Sequence, residues 1–333
     1  MSSSSTPRTA RDQGRDSAAI AEVTGASTRA SRLLDLSGRA VLFATDGSPS
    51  AIAGAHVARE LARKYDATIH VVSVVDTRGA AVPPPLDLAL AMGAATAGTD
   101  IHAEQAEAVR AALTGAIGER VDWPVRMRLG TPAASIVKEA QRVGAVLIVM
   151  GLRRHGRLDR AVHDETTLNV IRNASCPVLG VTEGMRGLPT RVLVAMDFSE
   201  ASIIATTTAQ SIAGDAPVLV LAYVARSSTL TLDEGETVTH ELGVGAAFAH
   251  VENELRRAGN TFDHVVLHQA TERTTAQSLL EHADEARCDL IAAGSVRRGR
   301  LDRWRMGSVS RDLVRDGRRS VLIAPPAGDS PRS

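Results

Sequence analysis

Short apolar runs alternate with longer amphipathic stretches along most of the chain. In the first half the apolar runs are 40–45 (AVLFAT), 68–75 (TIHVVSVV), 124–129 (PVRMRL), 145–151 (AVLIVMG) and 177–181 (PVLGV). Stretches with helical spacing lie between them at 48–65, 98–119, 132–143 and 165–173. Ser48 is placed to cap the first helix, and Pro49 suits its first turn. The second half runs the same way, with apolar runs at 192–196, 217–224, 264–269, 289–294 and 320–325. Its helical stretches fall near 200–212, 240–258, 274–286 and 308–316. Val, Ile and Leu runs without strict alternation predict parallel strands buried on both faces, and the intervening helices predict the covering layers. Each half therefore reads as an open, mostly parallel α/β sandwich.

The two halves also share residues. The pentapeptide GRLDR occurs at 156–160 and again at 299–303, inside a gap-free correspondence of 153–181 with 296–324. The segment 39–51 (RAVLFATDGSPSA) corresponds to 190–202 (TRVLVAMDFSEAS). The offset is 151 at the start and 143 at the end, so the first copy is longer by eight residues. The same landmarks in the same order predict a duplication. The expected organisation is a disordered N-terminal tail over 1–37, a first domain over 38–182 and a linker over 183–189. A second domain over 190–326 and a C-terminal tail over 327–333 complete it. The final runs, 177–181 and 320–325, are expected as edge strands that pair the halves into an intramolecular pseudo-dimer, with a further homodimer open. The excess length of the first copy centres on 78–98, which contains PPP and reads first as a surface connection, with a flap or dimer contact as the alternative.

Composition narrows the function classes. The chain has 333 residues with 38 basic and 38 acidic side chains, which argues against a general nucleic-acid binder. Two cysteines, Cys176 and Cys288, stand alone before apolar runs and form neither a disulfide framework nor a zinc motif. Both are expected to pack. No run of 18 apolar residues and no basic-then-apolar leader is present, so a cytoplasmic protein without membrane contact is expected. His155, His163, Asp164 and Glu165 lack metal-ligand spacing, and no metal is expected there.

Candidate chemistry lies beyond the carboxyl ends of the strands, where open parallel sheets bind ligands. Asp46 and Asp197 follow the first strand of each half, and Gly151 and Gly294 end the fourth. The last helix of each half starts nearby, and its leading N–H groups suit an anion. In the second half Gly294 and Ser295 follow the strand and Gly307 and Ser308 open the helix. Arginines 297, 298, 300, 303 and 305 lie between. Small residues permit close approach of phosphate, and the arginines offset its charge. In the first half Asp164 and Glu165 align with Gly307 and Ser308, and two carboxylates repel phosphate at that helix start. No GxxxxGK[ST] and no GxGxxG after a first strand is present, which excludes a P-loop and a dinucleotide fingerprint.

VLFATDGS and VLVAMDFS early, AVLIVMG and DLIAAGS late, and CPVLGV and SVLIAP last resemble tandem domains of the universal stress protein family over residues 38–326. The resemblance implies an adenine nucleotide α-hydrolase-like, Rossmann-like fold. It also implies a phosphate loop of Gly, two residues, Gly, nine residues and Gly–Ser or Gly–Thr. Here Gly294, Arg297 and Gly307–Ser308 keep that spacing, with Arg297 in the second Gly position. Its guanidinium either closes the bend or adds a phosphate contact. By resemblance Asp197 contacts the nucleoside and Val224 the adenine, with Asp46 and Val74 their first-half counterparts. The implied ligand is ATP or another adenine nucleotide, with or without Mg, regulatory and not turned over. Two other readings stay open: a nucleotide-independent dimeric scaffold with an unknown protein partner, and a slow ATPase or phosphotransferase. No positioned base accompanies a Mg-binding pair in the sequence, which ranks the enzyme last.

Overall fold

The computed structural model describes residues 35–76, 94–152, 163–226, 244–249, 251–253, 256, 261–269, 273–295, 306–316 and 318–326. Both GRLDR copies, the arginine-rich stretch with Arg297, His155, most of 78–98 and the C-terminal tail lie outside these residues.

The first half contains β1 (Ala40–Thr45), α1 (Pro49–Tyr65), β2 (Thr68–Val75), α2 (Ala94–Ile117), β3 (Val125–Leu129), α3 (Pro132–Val143), β4 (Leu147–Gly151), α4 (His163–Asn173) and β5 (Val178–Val181). The second contains β6 (Arg191–Ala195), α5 (Glu200–Ile212), β7 (Val218–Arg226), β8 (Thr261–Gln269), α6 (Thr275–Glu285), β9 (Leu290–Gly294), α7 (Ser308–Asp316) and β10 (Ser320–Ala324). Residues 244–249 and 251–253 are also helical. Helix α2 starts four residues before the expected 98, because the Ala-rich run 94–97 continues the helix. Strand β8 starts at Thr261, three residues before the expected 264, because Thr261, Phe262 and Asp263 extend the pairing with β7. Leu36, inside the expected tail 1–37, is buried at 1% exposure in the core beside β1, so the folded chain begins earlier than hydropathy alone implied.

Local chemistry sets the helix ends. Ser48 caps α1 by accepting from Ala51 N, and Ser199 caps α5 by accepting from Ser202 N. Thr274 and Gln277 form a reciprocal capping box on α6. Gly144, at φ 62°, closes α3 in the left-handed region.

Among the described residues ten strands join one sheet in the order β3-β2-β1-β4-β5-β10-β9-β6-β7-β8. Within each half every pairing is parallel, as the fully apolar runs require. The halves meet through β5 and β10, which pair antiparallel with Leu179 opposite Leu322. This pairing converts two edges into interior strands. Beside it Ser320 Oγ accepts from Thr182 N at 3.0 Å, and both residues are buried. Lys64, in the last turn of α1, donates to Ala213 O and Gly214 O at 2.8 and 3.1 Å, capping α5 from the other half.

One core layer lies between the sheet and α1, α2, α5 and the helical residues Phe248 and Val251. The other lies between the sheet and α3, α4, α6 and α7. Both layers run through the two halves without a break, so the seam is part of the core.

Candidate functional site

In each half the strand order reverses direction between the first and fourth strands, β1 and β4 or β6 and β9. The crevice beyond such a switch point is where open α/β sheets hold ligands. In the second half Asp197 follows β6, Gly294 ends β9 and Ser295 follows it. Val224 lies near the end of β7, and α7 begins at Ser308. Asp197 and Ser308 are exposed, Gly307 is half-buried, and Ser295 is buried. Val224, Met306 and Val309 pack against the same core layer, which puts the end of β7 and the start of α7 on one face of the sheet.

Helix α7 takes up its hydrogen bonds from Arg311 N, which donates to Gly307 O at 3.1 Å. The amides of Ser308, Val309 and Ser310 precede that bond and stand at the positive end of the helix dipole. Ser310, not singled out from the sequence, is buried and its hydroxyl donates to Gly294 O at 2.9 Å. The hydroxyl residue Thr167 holds the corresponding place in the first half, which was the available signal.

Asp197 has a local duty. Its Oδ1 accepts from Ser199 N at 3.0 Å and from Ser199 Oγ at 2.6 Å, setting the N-cap of α5. Asp46 does likewise with Ser48 N at 2.9 Å. Gly294 is also required by packing: a Cβ there would lie 2.5 Å from the Ala201 carbonyl carbon and 2.6 Å from Ser202 N. A Cβ on Gly151 would lie 2.6 Å from Ala51 N and 2.7 Å from Ser50 Oγ. The end of the fourth strand and the start of the first helix, α1 or α5, touch backbone to backbone in both halves.

Between Asp197 and Ser199 stands Phe198, with φ at 60°, where the first half has Gly47 at 75°. A bulky residue in this region is strained. Phe198 is held by stacking on Tyr223 at 5.7 Å between centroids and by an edge contact to Phe248 at 5.1 Å. This aromatic group lies in the other core layer from Val224.

At the matching edge of the first half, Asp46, Gly151 and half-buried Val74 keep their places, but α4 carries Asp164 and Glu165 in its first turn, and Glu165 is exposed. Cys176 and Cys288 are buried, and burial pushes their thiols up to about 12 and about 11, away from thiolate chemistry. Among the described residues no group of three His, Cys, Asp or Glu side chains is placed to hold a metal ion. No helix among them is long and apolar enough to cross a membrane.

A profile of the universal stress protein family matches residues 38–182 and again 189–325. The universal stress protein MJ0531 of Methanocaldococcus jannaschii is 31% identical over 141 residues, 42% of this chain and 80% of that protein. The structure of a universal stress protein from Archaeoglobus fulgidus superposes with a TM-score of 0.60 at 19% identity, covering 87% of this chain and 98% of the other. That of the functionally unknown protein PA1789 from Pseudomonas aeruginosa does so at 0.52 and 15%, covering 87% and 93%. At these identities the two structures speak for the fold alone. With the family's profile matched twice and together over most of this chain, the chain belongs to the universal stress protein family in a tandem, two-copy form.

Proposed function

We propose that the second half binds an adenine nucleotide, ATP first among them, as a regulatory ligand, and that the first half serves as its structural partner. One observation carries this reading: at the switch-point edge the second half opens α7 with Gly307–Ser308, where the first half opens α4 with Asp164–Glu165. The phosphates sit at the α7 start, with the Ser308 hydroxyl and leading amides donating to them. Arg297 stands in the intervening stretch, where its guanidinium either adds a phosphate contact or crowds the loop. Asp197 accepts a hydrogen bond from a ribose hydroxyl, and Val224 packs on the base. Asp197 and Gly294 alone do not distinguish the halves, because the fold uses both.

The ligand acts in the cytoplasm by biasing contacts with a protein partner, not through turnover; a positioned general base is missing from the assigned set. The competing reading is a scaffold that needs no nucleotide. It is favoured by the β5–β10 seam, whose hydrogen bonds involve none of the assigned residues.

Calorimetric titration of the full chain with ATP, ADP and AMP, with and without Mg, decides between them. One site per chain is expected, with ATP bound most tightly. Arg297→Gly reports the arginine's sense: weaker binding means it contacts phosphate, and tighter binding means it crowds the loop. If wild type and Arg297→Gly bind none of the three and no nucleotide co-purifies, the scaffold reading stands. Phosphate release over many turnovers would make the protein an ATPase.

A further inference from the structure

We propose that Ser310 is a positioning residue for the nucleotide phosphates, acting through the end of β9 and not by touching ligand. The inference rests on the nucleotide reading above and adds a residue to its machinery. Ser310 is 2% exposed, and its hydroxyl donates to Gly294 O at 2.9 Å. Gly294 is the meeting point of three elements. Its Cα side lies against the backbone of Ala201 and Ser202 in the first turn of α5, so tightly that no Cβ fits. Just beyond it, Ser295 N donates to Ala324 O of β10 at 2.8 Å. The Ser310 hydroxyl then fastens the first turn of α7 to the same strand end. Gly294 therefore fixes the distance between the α5 start, where Asp197 sits, and the α7 start, where Gly307 and Ser308 sit.

A polyphosphate gains most from amide donors that are already in place when it arrives, because ordering them costs part of the binding energy. The clasp supplies that order at the phosphate end only. Its hydrogen bonds join Ser310 to Gly294 and Ser295 to Ala324, and neither involves Val224, so the base end should sense its loss least. Thr167 at the corresponding place in the first half shows that this position of the scaffold accepts a β-branched hydroxyl residue.

The test compares Ser310→Ala and Ser310→Thr with wild type in the full chain. Titrations use ATP, ADP and adenosine, and amide hydrogen exchange is followed over residues 308–312 without ligand. A buried hydrogen bond of ordinary strength predicts ATP and ADP affinity lowered roughly fivefold or more in Ser310→Ala, with adenosine changed less than about twofold. Ser310→Thr should restore ATP binding, and exchange at 308–312 should quicken only in the alanine variant. The proposal is overturned if Ser310→Ala binds ATP as wild type does. It is equally overturned if ATP and adenosine weaken together, which marks general loosening of the fold. If wild type binds no nucleotide, the phosphate role falls with the nucleotide reading. Exchange then decides the clasp by itself: quickening at 308–312 without change in α6 upholds it, and unchanged exchange removes it.

Discussion

The switch-point edges of the two halves are built on one plan and finished differently. Both keep an aspartate that orients the N-cap serine, Asp46 with Ser48 and Asp197 with Ser199. Both keep a glycine whose missing Cβ lets the fourth strand touch the first helix of the half, Gly151 against α1 and Gly294 against α5. They part at the start of the last helix, with Asp164–Glu165 in one and Gly307–Ser308 in the other. The lesson is a sorting rule. At this edge the residues with a packing or capping duty, Asp46 and Asp197, Gly151 and Gly294, are kept in both halves, and the helix start that differs is where the proposed nucleotide would tell the halves apart. A second divergence lies on the adjacent helix, where Glu139 of α3 corresponds to His282 of α6. Glu139 is 1% exposed and accepts from Arg128 at 2.5 Å and Arg142 at 2.6 Å, an ion cluster of the first half.

The largest expected effect would break the rule if it appeared in one half only. Gly294→Ala and Gly151→Ala each force a methyl group onto helix backbone, and overpacking of this kind costs about 1–3 kcal/mol. Chemical denaturation should show similar losses for both. A loss confined to Gly294→Ala would mean that Gly151 is not held by packing. Next, Gly307→Asp copies the first half's acidic start into the second and should weaken ATP binding by more than about tenfold, or ~1.4 kcal/mol, in titration calorimetry. The reciprocal change, Asp164→Gly with Glu165→Ser, sharpens the comparison, because a second binding event in that variant would show that only the helix start separates the edges.

The Glu139 cluster predicts acid sensitivity seated in the first half. Burial pushes the Glu139 carboxyl up, but the hydrogen bonds and charges of Arg142 and Arg128 outweigh it and hold it below the usual range. A carboxyl lowered in the folded state stabilises fully above its unfolded value and loses that contribution as pH falls through the folded one. Wild type should therefore lose about 1 kcal/mol more than Glu139→Gln between about pH 7 and pH 3, a modest figure because the arginines are partly exposed. Urea midpoints measured at both pH values check this. Parallel pH profiles for the two proteins would remove the cluster as the cause. The smallest effect is at the seam: Lys64→Ala removes the cap that α1 lends to α5 and should cost about 0.5–1 kcal/mol in thermal unfolding.

Some of these distinctions are legible in the linear chain and others are not. The Asp164–Glu165 and Gly307–Ser308 contrast needs only the constant offset of the repeat, since charge and size at a helix start act locally. The role of Gly294 reads differently from sequence and from structure. As part of a glycine motif it points to a phosphate, whereas its contact with Ala201 and Ser202, more than 90 residues away, gives it a packing duty first. Phe198 carried no warning either, because a strained backbone at an aromatic residue is tolerated only when Tyr223 and Phe248 hold the ring.

What the chain determined by itself was the order of strands and helices, the duplication, the parallel character of each half and the asymmetry of the two helix starts. Periodicity, caps and charge at helix ends are properties of neighbours in sequence, so they can be read there. The pairing of the final runs could be expected from two apolar edges in need of cover, but its direction and register, Leu179 against Leu322, came only with the tertiary structure. So did the clasp from Ser310 to Gly294 and the cap from Lys64 onto α5. Each joins groups that are distant along the chain, and their distances follow from how whole helices settle on a twisted sheet, which no local pattern encodes.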